Sequence, residues 1–158
     1  LVGSGGASRS VSVITEPCCT VLGREWPCGV YLLRIEVAET LTLAFGRFRH
    51  GQPITVLPGA YVYTGSAMGQ RGTNSLPHRL LRHATRSGGK VPHPIRADLL
   101  TFFPRVHLSQ GLLRPPGHKK LFWHIDYLLD CEPIALCHIF IVRNPSASGN
   151  GCCPVAAG

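Results

Sequence analysis

From Gly29 to Val37 the apolar residues Tyr31, Leu33, Ile35 and Val37 alternate with Arg34 and Glu36, a period of two that predicts a strand with one buried face. Beyond a polar turn at 38–40, Leu41, Leu43 and Phe45 alternate with Thr42 and Ala44, the spacing of an antiparallel hairpin partner. Leu57-Pro58-Gly59 is a turn signal, and Ala60 to Thr64 is dense in residues that suit a pleated surface, so a third strand should end at Gly65.

The period then changes. After a polar, glycine-bearing loop over 66–75, Leu76, Leu80, Leu81 and Ala84 share one face of a helix over 76–85, with Pro77 in its first turn and Asn74 or Ser75 as its cap. A short second helix is predicted over 94–102, where Ile95 and Leu99 are one turn apart. Residues 123–130 read as a third helix with Ile125, Leu128 and Leu129 inward, and 134–142 is an apolar run of strand length. No internal repeat is visible. The predicted fold is α+β: a small antiparallel three-stranded sheet with flanking helices, plus an extra C-terminal strand.

Residues 1–17 are expected to be a flexible tail, 18–143 one domain, and 144–158 a disordered low-complexity tail of small uncharged residues. With 158 residues and 44% hydrophobic content the chain can build a single core. No run approaches the roughly 18 apolar residues of a membrane span, so a soluble, cytoplasmic protein is expected. The seven cysteines are odd in number and form no CxxC pair, which reads as reduced thiols without a zinc site.

Charge changes the picture more. Lys and Arg number 16 against 8 Asp and Glu, a formal charge of +8, which favours a polyanionic partner. Arg79, Arg82 and Arg86 stand at i, i+3 and i+7, one basic face opposite the apolar face of the first helix. That face suits phosphate contact, or plain solvation. Gly65, Gly69 and Gly72 read as a flexible turn rather than a phosphate cradle. Trp26 and Trp123 read as core or rim residues, with stacking on an unpaired base as the alternative.

Three motifs occur in order: Gly29-Val30-Tyr31, Tyr63-Thr64-Gly65, and Arg79-Leu80-Leu81-Arg82-His83. Together they resemble the GIY-YIG nuclease superfamily, whose first strand carries a G-I-Y triplet, whose later strand carries Y-I-G, and whose following helix carries an Arg in an R-L-x-x-H phrase. The phrase from Tyr61 to Ala67 (YVYTGSA) and the run from Lys119 to Leu129 (KKLFWHIDYLL) look like the branch catalogued as domain of unknown function 123.

The resemblance implies hydrolysis of a DNA phosphodiester with Mg²⁺ or Mn²⁺, and Tyr31, Tyr63, Arg79 and His83 as catalytic residues. Attack on a phosphodiester needs a base for water and a cation for the charge growing on phosphoryl oxygen, so Tyr31 is expected as the base and Arg79 as the cation. A free phenol has a pKa near 10, so that role requires a nearby metal or cation. Arg71, Arg82, Arg86, Lys119 and Lys120 are expected to contact nucleic acid, DNA or RNA.

The superfamily's metal-binding Glu, well downstream of the helical Arg, has no counterpart, since neither Asp nor Glu occurs after Glu132. A truncated or frame-altered gene end is the expectation that accounts for this and for the terminal composition. Asp126 is the best substitute metal ligand, with a capping role as its alternative. A binding module that has lost hydrolysis is therefore the alternative function.

Overall fold

The structure is a computed structural model that describes residues 11–23, 27–109 and 112–143. Its strands are β1 (Val13–Glu16), β2 (Cys19–Leu22), β3 (Gly29–Val37), β4 (Leu41–Leu43), β5 (Ile54–Val56), β6 (Gly59–Ala67) and β7 (Ile134–Arg143). The helices are α1 (Leu76–His83), α2 (Ile95–Arg105) and α3 (His124–Leu129).

The fold is α+β, but the sheet is not the three-stranded antiparallel one expected. It is five-stranded and mixed, in the order β1-β2-β7-β3-β6, and β2 runs parallel to β7. The run over 134–142 is a strand as predicted, and it lies in the middle of the sheet between β2 and β3. Its inner residues Ile134, Leu136, Ile139 and Ile141 are all buried, a surface too apolar for an exposed edge. A register shift between Arg34 and Ile35 on the β3 side lets β7 carry one extra residue there.

The expected hairpin between the first strand and residues 41–45 does not form. Both edges of β3 are taken by the long partners β6 and β7, and the Ala38 N–H bonds the Pro133 carbonyl instead of continuing a ladder toward β4. The short strand β4 pairs with β5 in a separate two-stranded sheet. The segment expected as an N-terminal tail contains β1, which pairs with β2. Residues 1–10 and the expected tail over 144–158 lie outside the described residues, as does Trp26.

The three helices cover the face that carries Tyr31, Leu33, Ile35 and Val37 of β3. Leu76, Leu80 and Leu81 of α1, Leu99 and Phe103 of α2, and Leu129 of α3 join these in one buried cluster. Burying such side chains is worth roughly 1.5–3 kcal/mol each, which is how these short helices are held. The opposite face leaves Val30 and Phe140 exposed. α2 runs three residues beyond its predicted end, through Phe103 and Pro104. No helix among the described residues is long and apolar enough to cross a membrane.

Candidate functional site

The two tyrosine triplets meet in the sheet. Tyr31 pairs with Gly65, and Leu33 with Tyr63, so both tyrosines stand on the helix-covered face of β3 and β6. A Cβ at Gly65 would overlap the Tyr31 ring, with Cζ at 2.5 Å. Glycine here lets the phenol lie flat across its neighbour strand and reach α1. Gly29 serves differently: a Cβ there would collide with the Val142 carbonyl, so this glycine admits β7 alongside β3.

Tyr31 Oη lies 2.8 Å from His83 Nε2, and the His83 ring sits between the two tyrosines, 5.5 Å from the Tyr31 centroid and 6.1 Å from Tyr63. Tyr31 is 1% exposed. Burial pushes its pKa up to about 12, with Tyr63 adding to the rise and Arg79 opposing it. Burial also drives His83 down to about 3, against the pull of Asp126 and with help from Lys119 and Arg79. The Tyr63 phenol is raised by burial and lowered by Arg79.

Both shifts point the same way: burial raises the Tyr31 phenol and lowers the His83 imidazole, so the proton stays on Tyr31. The pair at neutral pH is thus a phenol and a neutral imidazole, with Tyr31 donating and His83 accepting through Nε2. That tautomer puts the remaining ring proton on His83 Nδ1, which is buried without a hydrogen-bond partner among the described residues.

In front of His83 opens a cleft of about 390 Å³ between α1 and the extended segment leading to α3. Its α1 wall carries His78, Arg79, Arg82 and His83, and its far wall carries Arg114, Pro116 and Trp123. Among the described residues no carboxylate lines it. The far wall is clamped to α1 by two cations: Arg82 donates to the Lys120 carbonyl at 2.5 Å, and Lys119 Nζ to the Thr85 carbonyl at 2.8 Å.

Asp126, the expected metal ligand, is fully buried, with one oxygen occupied by hydrogen bonds and the other facing an ammonium. Its Oδ2 accepts from Arg82 at 2.7 Å and from the Phe122 and Trp123 N–H groups at 3.1 Å each, and Lys119 Nζ stands 3.5 Å from Oδ1. Burial raises its pKa, but the bonds from Arg82 and Trp123 N–H, with the Lys119 charge, outweigh that and hold the carboxyl below its usual value. The Asp126 N–H in turn bonds the Trp123 carbonyl, so the residue closes the first turn of α3. An oxygen committed to three donors does not fit a divalent cation, and the cleft's guanidinium and imidazole groups do not fit a hard one. No cluster of three His, Cys, Asp or Glu side chains that could hold a metal occurs among the described residues.

The expected nucleic-acid contacts divide. Arg82 lines the cleft beside Arg79, the residue expected as the catalytic cation, and Arg71 and Lys120 are exposed. Lys119 is buried against Thr85 and Asp126, because its ammonium pairs the buried carboxylate. Arg86 lies past the end of α1 and donates to the carbonyls of Val91, Leu129, Glu132 and Ile134. Both are structural cations rather than surface ones. The sequence reading missed Arg114 and His78: Arg114 lies in a Pro-rich connection without periodicity, and the signal for His78 was its place one residue before Arg79.

Residues 30–151 match the family model described as Domain of unknown function DUF123. No curated protein and no solved structure matches the chain.

Proposed function

Starting from the fact that the chain belongs to the family of the domain of unknown function DUF123, we propose that it is a nucleic-acid-binding domain on a GIY-YIG-like scaffold. The observation that carries this reading is the cleft itself, in which Arg79, Arg82 and Arg114 converge with His78 and His83 and, among the described residues, no carboxylate. Such a cleft concentrates positive potential on one concave surface and suits a backbone phosphate. The resemblance of the two tyrosine triplets and the helical Arg to the nuclease superfamily supports the same substrate class.

Within this reading Tyr31 is a positioning residue. Its hydroxyl faces His83 rather than solvent, so it fixes the ring that closes the cleft floor. Arg79 supplies the charge that meets a phosphoryl oxygen, with Arg114 opposite. Arg82 is shared with Asp126 and offers less.

Hydrolysis is the second reading, favoured by the convergence of Tyr31, Tyr63 and the helical Arg79 around one histidine. The superfamily's chemistry uses a divalent cation such as Mg²⁺ or Mn²⁺, and the cleft's own donors do not fit one.

The test is a fluorescence-anisotropy titration of labelled DNA at two salt concentrations, run beside a nicking assay with Mg²⁺ or Mn²⁺. Binding should weaken steeply with salt, with a log–log slope of about −0.7 per phosphate neutralised on a single strand. Binding that is undetectable or indifferent to salt overturns the proposal. Metal-dependent nicking abolished by Arg79→Ala would instead promote the second reading.

A further inference from the structure

Beside the cleft, Phe122 is 73% and Trp123 49% exposed, an aromatic pair at the surface of a strongly basic chain. Their ring centroids are 5.0 Å apart and their planes meet at 84°. Two rings at that angle form a corner, in which a flat third ring lies face-on to one and edge-on to the other.

The corner is held from beneath. The backbone N–H groups of both residues donate to the same Asp126 oxygen, and that carboxylate is buried and ion-paired. A platform fixed in advance loses little freedom when a ligand arrives. Trp123 also lines the cleft, so the platform adjoins Arg79 and Arg114.

The turn between β4 and β5 reaches the same segment of chain. Phe48 packs on His124 with ring centroids 4.8 Å apart, which ties this turn to the residue after Trp123. Arg47, Arg49 and His50 are exposed around Phe48, and Arg49 and His50 hold φ of 49° and 57°, the left-handed region that side-chain-bearing residues seldom occupy. Strained backbone that presents cations beside a site is a frequent mark of ligand contact.

We propose that the Phe122–Trp123 corner is a stacking platform for an unpaired nucleobase, with flanking phosphates held by Arg79 and Arg114 in the cleft and by Arg47 and Arg49 on the β4–β5 turn. This deepens the binding reading above and rests on it, naming the substrate as nucleic acid with an unpaired segment. Charge complementarity selects this occupant over an apolar peptide, since Trp123 shares its cleft with Arg79 and Arg114 and the turn that packs on His124 carries the exposed Arg47 and Arg49. Every base has a π face, so the platform supplies affinity with little sequence preference.

The test uses the full chain and four labelled ligands of one length: single-stranded DNA, single-stranded RNA, an abasic DNA strand, and a blunt DNA duplex. The abasic strand keeps every phosphate and lacks every base. It should bind about ten-fold more weakly than the base-bearing strands. Phe122→Ala should erase most of that difference while leaving abasic and duplex affinity and the salt slope unchanged. Phe122 is exposed, so its variant folds. The stronger of the DNA and RNA arms identifies the natural source, and either supports the platform. Equal affinity for abasic and base-bearing strands overturns the platform and leaves the cleft reading standing. The same follows if Phe122→Ala weakens the abasic strand as much as the others. Binding of none of the four overturns both.

Discussion

Tyr31 and Gly65 face each other across the β3–β6 pair, and the phenol ring occupies the space a Gly65 side chain would need. The Gly65→Ala variant must therefore displace Tyr31 from His83 or shift β6, the edge strand that pairs only with β3. Overpacking of this kind costs about 1–3 kcal/mol. In a double-mutant cycle with Tyr31→Leu, which removes the ring, the cost of Gly65→Ala should shrink sharply. Additive effects in denaturant titrations would show that the ring and the glycine are independent.

Asp126 has a second consequence. Its neutralisation in Asp126→Asn leaves Lys119 buried and Arg82 half-buried without their counter-charge, and the new NH2 must face either the Lys119 ammonium or the donors that share Oδ2. Loss of one partner of a buried pair costs on the order of 3 kcal/mol. The urea midpoint should fall accordingly. In the parent chain that midpoint should be the same in Mg²⁺ and in chelator, because the carboxylate is committed to protein donors. A midpoint that rises with the metal would make Asp126 a ligand after all.

Arg79 and Arg86 look alike along the helical period and differ in the fold. Arg79→Ala removes a cleft charge and should weaken DNA binding about five- to ten-fold at low salt, with stability changed by no more than about 0.5 kcal/mol. Arg86→Ala deprives four carbonyls of a donor and should cost about 2–3 kcal/mol of stability. Its affinity for DNA, measured well below the melting temperature, should be unchanged. If Arg86→Ala loses affinity while keeping its stability, the assignment of the two roles is reversed.

That contrast shows where the sequence stops being informative. β3 and α1 are legible because each carries an unbroken period that reports which residues face inward, and β6 and β7 because strand-forming residues crowd a run of strand length. The place of β7 between β2 and β3 is not legible, because strand order is set by which surfaces match after folding. The four-residue strands β1 and β2 are too short to carry a period. The site follows the same rule. Tyr31, Tyr63, Arg79 and His83 lie on those legible elements and come together as their motifs imply. Lys119, Arg86 and Asp126 lie at or beyond element ends, where nothing local reveals that a cation will be buried against a carbonyl or a carboxylate.

The buried histidines give the last prediction. His93 accepts from the Leu136 N–H at Nδ1 and donates from Nε2 to the Leu129 carbonyl, a pattern that only the neutral ring satisfies. Burial, with Arg86 adding, lowers its pKa to about 4, and burial lowers His83 to about 3. Both therefore lie below the ordinary value of 6.5 that the unfolded chain retains. Between those limits the unfolded chain binds protons that the folded chain refuses, so stability rises with pH there. It is fully present above pH 6.5 and is lost on acidification, by about 1 kcal/mol per pH unit for each histidine. Asp126 and Asp130 are held below the usual carboxylate value, so their contributions fade further down, and the window between pH 6.5 and about 4.5 belongs to the histidines. Urea midpoints across that window should fall steadily in the parent chain. In His93→Gln, whose amide can donate and accept but does not titrate, the slope should be about half as steep. A flat profile from pH 6.5 to 4.5 would mean that neither ring is held neutral by the fold.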